Sequence, residues 1–387
     1  MNELQRIIQA FKHSQEIGQK TALATVVQTR GSVYRRSGAR MLVTQEGEIV
    51  SAISGGCLEG DLLEKAKSHL RAESDPIIIQ YDTSNSQEDL LIGFGMGCRG
   101  VVDVLIESLS NNNSASQLSF IEECLKSHQL GVIATVVAVE GINNIPLASR
   151  LMMKSDGTVI NQIKDSHFTS ILREDIEKIF IQKQNHTQSY SLSQGKISVF
   201  WEVIHPPTQL LIFGAGYDAI PVVNFAKQLG WHVTVIDHRE EYLTSDRFPQ
   251  ADKLLECKPD PPNAYAHLLT PQTVAVVMTH RYLSDLAFLK NLIPSSLRYL
   301  GVLGPKKRME QLWQDLAQSN IKPTLTQQKR LYNPIGLDIG AETPEEIALA
   351  IIAEIQAVVA GRAGNSLRDR QGSIHTKTEQ SWVTLVS

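Results

Sequence analysis

Apolar residues at Leu4, Ile7, Ile8 and Phe11 fall a helical turn apart with polar residues between them, predicting an amphipathic helix near the start of the chain. The spacing then changes. Residues 22–28 and 40–44 are short, mostly apolar runs that predict buried strands, and Glu46-Gly47 marks a hairpin turn before Ile49-Val50. Helical spacing returns with Leu58, Leu62, Leu63 and Ala66, so a helix is expected from Cys57 to Leu70, opening on the Gly55-Gly56 turn. Ile77-Ile78-Ile79 and Val101-Val102-Asp103-Val104-Leu105-Ile106 predict two further strands. Between them runs a Gly-rich turn that contains Cys98.

The same pattern then occurs again. Leu23-Ala24-Thr25-Val26-Val27 returns as Ile133-Ala134-Thr135-Val136-Val137, and the register holds without a gap. Arg40-Met41-Leu42-Val43 faces Arg150-Leu151-Met152-Met153, and Glu46-Gly47 faces Asp156-Gly157. A repeat of this length indicates two copies of one folding unit. Only the first copy carries Ser54-Gly55-Gly56-Cys57-Leu58-Glu59. Residues 111–116 read as a polar linker between the copies, and Pro206-Pro207 punctuates the end of the second.

Beyond Pro207 the pattern alternates between strands and helices. Leu210-Leu211-Ile212-Phe213 is followed by Gly214-Ala215-Gly216-Tyr217-Asp218-Ala219 and a helix to Leu229. The strand Val233-Thr234-Val235-Ile236 then ends at Asp237, and Val274 to Met278 and Tyr299 to Leu303 supply more strands. Such alternation predicts a parallel, doubly wound sheet. Thr343-Pro344-Glu345-Glu346 is a capping box that starts a helix running to about Ala360. The fold expected is therefore α/β, a Rossmann-like doubly wound C-terminal domain preceded by a duplicated small α/β unit. The boundaries expected are 1–110 and 117–205 for the copies, 207–362 for the Rossmann-like domain and 363–387 for a polar tail.

Composition adds exclusions. The chain has 387 residues, of which 42% are hydrophobic and 20% charged, with a formal net charge of −4. That balance argues against a nucleic-acid-binding surface. No run reaches the ~20 apolar residues of a membrane span, and the N-terminus does not read as a signal peptide. Four cysteines in so long a chain form no disulfide framework, so a reducing, cytoplasmic location is expected.

Several residues carry candidate chemistry. Gly214, Gly216 and Ala219 follow a strand and open a helix, with Asp237 at the tip of the next strand. This is the arrangement that holds a pyrophosphate on helix amides and a ribose on the acid; it also serves as plain scaffold. Gly301 and Gly304 end a strand before Lys306, Lys307 and Arg308, a second phosphate candidate or else a solvated basic turn. His280, at a strand end, is placed to position a phosphate or shuttle a proton, and equally to hydrogen-bond a neighbouring loop. Cys57 and Cys98 lie beside glycines, where a thiolate can ligate a soft metal or carry sulfur. Small buried filler is the plainer alternative. Arg35 and Arg36, peculiar to the first copy, are candidates to meet an anion.

These residues resemble the XdhC/CoxI family, the maturation factors of xanthine and carbon monoxide dehydrogenases. The resemblance spans nearly the whole chain. It rests on Gly38-Ala39-Arg40-Met41, Ser54-Gly55-Gly56-Cys57-Leu58-Glu59 and Gly95-Met96-Gly97-Cys98. It rests further on Phe213-Gly214-Ala215-Gly216, Thr279-His280 and the run from Pro334 to Ala341 with Thr343 to Ala348. It implies a chaperone that binds the molybdenum cofactor, protects it, and helps its sulfuration and insertion into a molybdenum hydroxylase, an accessory protein rather than a turnover enzyme. A cysteine thiolate, Cys57 first among them, would then face molybdenum or take part in sulfur transfer. The implied partners are the apo-enzyme of xanthine or carbon monoxide dehydrogenase type and a cysteine desulfurase, and a homodimer is the default assembly. Two other readings stay open: an NAD(P)-dependent oxidoreductase using the Rossmann domain, and a partner-binding module that holds no ligand.

Overall fold

The computed structural model describes residues 3–82, 100–110, 112–141, 144–259, 264–371, 374 and 382–384. Cys98, and with it the Gly-rich turn that carries it, lies outside the described residues. The chain divides into two compact units. One comprises Glu3–Pro206 with the C-terminal end of the chain, and the other spans Pro207–His375.

In the first unit, helix α1 (Glu3–Glu16) precedes β1 (Thr21–Gly31), β2 (Arg40–Thr44), β3 (Ile49–Val50), α2 (Glu59–Ala72), β4 (Ile77–Asp82) and β5 (Gly100–Ser108). The second copy repeats that order as α3 (Asn112–Ser127), β6 (Gly131–Glu140), β7 (Arg150–Lys154), β8 (Val159–Asn161), α4 (Ser166–Gln182), β9 (His186–Leu192) and β10 (Gly195–Ile204). The first sheet has the order β3-β2-β1-β5-β4, and its antiparallel neighbours recur in the second as β8-β7-β6-β10-β9.

The likeness extends to irregularities. The ladder between β1 and β5 skips Val27, and that between β6 and β10 skips the equivalent Val137, so both copies carry the same bulge. Val27 and Val137 meet in one apolar cluster with Leu105 and Phe200, between the copies. Residues 112–116 of the stretch read as a polar linker instead open α3, whose Leu118, Ile121 and Leu125 are buried. An apolar face that continues beyond the polar residues is enough to wind them into the helix.

The second unit contains β11 (Gln209–Phe213), α5 (Ala219–Gln228), β12 (His232–Asp237), β13 (Lys253–Glu256), β14 (Thr273–Val277), α6 (Tyr282–Leu292), β15 (Tyr299–Val302), α7 (Lys306–Gln318), α8 (Leu325–Lys329), β16 (Leu331–Tyr332) and α9 (Pro344–Val359). Its parallel sheet has the order β13-β12-β11-β14-β15-β16. The direction of winding reverses between β11 and β14, which is the topological switch point where open α/β sheets place ligands. Ala219, Val222, Val223 and Ala226 of α5 pack in one cluster with Ala348, Ile351, Ile352 and Ile355 of α9. Thr343 caps α9 in the expected box: its Oγ1 accepts from the Glu346 amide, and the Glu346 carboxylate accepts from the Thr343 amide at 3.0 Å. Within the segment read as a polar tail, β17 (Trp382–Thr384) pairs in parallel with β9.

Candidate functional sites

Cys57 stands in a bend before α2, not inside it. Helix α2 begins at Glu59 because the preceding amides are already bound. Ser54 Oγ accepts from the amides of Gly56, Cys57 and Leu58 at 3.3, 3.1 and 3.1 Å. Glu59 Oε1 accepts from the amides of Ile53 and Ser54 at 3.1 and 2.7 Å, while the Ser54 hydroxyl donates to Glu59 Oε2. Burial alone would raise the Glu59 pKa, but these donors hold it below the ordinary value. The loop is thus a small turn of converging amides with a half-exposed thiol on it. Cys124 and Cys257 differ in being buried, and burial pushes their thiols up, that of Cys124 to about 11.

Two neighbours shape the turn. The ring of Tyr34, 67% exposed, lies against Gly55. Arg35 donates to the Ala52 carbonyl at 2.8 Å and pairs with Glu3, so it anchors the chain entering the turn. Arg36 is exposed. Among the described residues, no group of three or more His, Cys, Asp or Glu side chains is placed to hold a metal ion.

The second set of residues converges on the switch point of the parallel sheet. Gly214 has φ of +123° and approaches β14 closely enough that a Cβ would lie 2.5 Å from the Met278 carbonyl, so glycine is obligatory there. Ala219 is fully buried and serves the packing of α5. Asp218 occupies the cap of α5 and accepts from His280 Nε2 at 2.7 Å, which joins the loops after β11 and β14. His280 itself sits in the left-handed region, with φ of +58°.

Asp237 is 2% exposed and fully engaged. Its Oδ2 accepts from the Ala215 amide and from Arg239 Nη2, both at 2.8 Å, and its Oδ1 accepts from Arg239 Nε at 3.0 Å. Burial alone would raise its pKa; the bonds from Arg239 and Ala215 outweigh this and bring it to about 2. The acid expected to face a ribose therefore ties the glycine loop to Arg239.

The basic turn is divided. Arg308 donates to Asp285 at 2.6 Å, and Asp285, 1% exposed, also accepts from Thr279 Oγ1. Lys306 and Lys307 are exposed at the start of α7. Gly301 lies in β15 with Ile335 packed over it, while Gly304 has φ of +129° under the Arg308 side chain.

Sequence reasoning did not single out Asp218, His238, Arg247 and Arg281. Asp218 lies within a strand-end motif and His238 and Arg281 each directly follow one, a signal that only the juxtaposition of three loops gives meaning; Arg247, ten residues beyond Asp237, carries none. No helix among the described residues is long and apolar enough to cross a membrane.

Comparison with known proteins agrees with this architecture. A family model described as the XdhC Rossmann domain matches residues 210–355, and one described as the XdhC and CoxI family matches residues 14–82. The chain is 31% identical over 355 residues to a probable xanthine dehydrogenase subunit of Bacillus subtilis (strain 168), covering 92% of this chain and 97% of that one. It is 29% identical over 164 residues to the uncharacterized protein YqeB of Escherichia coli (strain K12), covering 42% of this chain and 30% of that one. A crystal structure described as a xanthine dehydrogenase from Bacillus halodurans superposes with a TM-score of 0.74 at 28% identity, over 94% of this chain and 98% of that one.

Proposed function

The chain belongs to the XdhC and CoxI family, and from that membership we propose that it is a maturation factor for a molybdenum hydroxylase of the xanthine dehydrogenase type. Its cargo in this reading is the molybdenum cofactor, which it holds, protects during sulfuration and delivers to the apo-enzyme. A cysteine desulfurase and a second copy of this chain are the further partners the reading calls for.

The observation that carries it is the Cys57 turn. A half-exposed thiol on a pinned loop of amides combines a soft sulfur donor with a rigid frame. The frame costs nothing to reorganise when cargo arrives, because Ser54 and Glu59 already hold it. The second copy has no equivalent of this loop, so one thiol serves each chain.

The test is anaerobic gel filtration of the protein with molybdenum cofactor, reading molybdenum by mass spectrometry and pterin by fluorescence after oxidation. Both co-elute with the native protein in this reading. Cys57→Ala loses the molybdenum signal and activation of the target, whereas Cys124→Ala keeps both. Full retention by Cys57→Ala removes the thiol from the mechanism.

A further inference from the structure

The end of β12 presents an arrangement that differs from a ribose site. Asp237 is covered, and both of its oxygens already receive donors from Arg239 and Ala215. A ribose diol at this strand tip would find no carboxylate to accept its hydroxyls. Donors are what remain. His238 Nδ1 lies 3.1 Å from Asp237 Oδ1, and Arg281 Nη1 donates to His238 Nε2 at 2.9 Å. His238 thereby bridges the Arg281 guanidinium to the Asp237 carboxylate and holds Arg281 in place. It also joins the loop after β12 to the loop after β14, on either side of the glycine loop of β11.

A third guanidinium lies close by. Arg247 sits over the rings of Tyr242 and Tyr217 at 4.7 and 5.1 Å, and Arg239 shares the Tyr242 ring at 3.9 Å. Arg247 donates one bond to the Tyr242 carbonyl, while its Nη2 is covered and has no acceptor. The Asp237 carboxylate balances Arg239. Neither Arg247 nor Arg281 has a carboxylate partner among the described residues. Two guanidiniums without a carboxylate partner, planar donors and an unfilled nitrogen suit a dianion with several acceptor oxygens.

We infer that Arg239, Arg247 and Arg281, with His238, form a receptor for a phosphate monoester at the carboxyl edge of the parallel sheet. A monoester carries close to two charges at neutral pH, and a phosphodiester link carries one. The site therefore selects ligands with a terminal phosphate over dinucleotides that have only a diphosphate bridge. Two sources share this chemistry: the 2′-phosphate of an NADPH-type nucleotide and the terminal phosphate of a pterin mononucleotide. The inference does not rest on the maturation reading, since loss of molybdenum co-elution would leave it standing.

Two ligand pairs test it by calorimetric titration of the full chain: NADPH against NADH, and molybdopterin against its dinucleotide form. The monoester member binds about tenfold tighter or more in at least one pair. A preference in the nicotinamide pair assigns the receptor to a 2′-phosphonucleotide, and a preference in the pterin pair assigns it to the pterin. Arg281→Gln, at an exposed position, erases the preference while the diester ligand is unaffected. Arg239→Gln uncovers Asp237 for a ribose diol, so NADH gains while NADPH loses. Equal affinity within both pairs, or a preference that survives Arg281→Gln, overturns the inference.

Discussion

Arg40, on β2 of the first copy, forms a buried two-pronged ion pair with Glu202, on β10 of the second, with both nitrogen-to-oxygen distances at 2.5 Å. The equivalent Arg150 on β7 reaches back to Glu107 on β5, also at 2.5 Å. Each arginine further donates to an equivalent carbonyl two residues before it, Gly38 and Ala148. The copies are thus clasped by reciprocal pairs, and each supplies the carboxylate that the other's arginine needs.

Removing one member of such a pair leaves a charge buried without a partner, which costs about 3–5 kcal/mol. Arg40→Met alone is expected to lower the unfolding free energy by that amount, read as a drop in the urea midpoint at unchanged m-value. Arg40→Met with Glu202→Leu recovers most of it, because an apolar pair of similar volume carries no desolvation penalty. If the double variant is as unstable as the sum of the singles, the arginine stabilises by packing rather than by charge.

Acid sensitivity follows from Asp237. Its folded pKa of about 2 lies below the unfolded value of about 3.9, so ionisation favours the folded state. The contribution, about 2 kcal/mol, is complete above the unfolded value and vanishes as pH falls through the folded one. Asp237→Asn is expected to lower stability at pH 6 and to flatten the decline between pH 4 and about pH 2. Thermal melts across that window read the effect, and parallel curves for both proteins would exclude Asp237 as its source.

The Cys57 turn depends on Ser54. Ser54→Ala takes the acceptor from three amides and is expected to cost about 1–2 kcal/mol, as loss of a helix cap does. Hydrogen exchange at residues 53–58 speeds up, and the alkylation rate of Cys57 changes with it. Ser54→Thr, which keeps the hydroxyl, restores both. Unchanged exchange in Ser54→Ala would mean that Glu59 alone holds the turn.

Gly301 is a packing glycine. A Cβ there would lie 2.2 Å from Ile335 Cδ1, so Gly301→Ala is expected to destabilise by about 1–3 kcal/mol. Adding Ile335→Ala removes the two nearest colliding atoms, leaving the Tyr299 hydroxyl at 2.8 Å, and the double variant is then less unstable than the two single losses summed. Strict additivity in denaturant melts would contradict the contact.

Local and repeated features are legible in the order of the amino acids. Periodicity marks the strands and helices, the gapless match of Arg40 with Arg150 exposes the duplication, and the glycines after β11 point to a parallel sheet. These properties are written within a few residues of one another or copied in register. The capping box at Thr343 was legible for the same reason.

Pairing between residues distant in the chain is set by the fold. Nothing near Arg40 in the chain points to Glu202, and nothing in the sequence shows that Asp237, a candidate ribose acceptor, is engaged by Arg239 and the Ala215 amide. The helix expected from Cys57 starts later because Ser54 and Glu59 capture the amides in its path. A hydrogen bond or ion pair depends on positions to within a few tenths of an ångström, and the fold sets those positions by bringing distant loops together. His280 meets Asp218, and Arg281 meets His238, because the parallel sheet aligns the ends of β11, β12 and β14 along one edge.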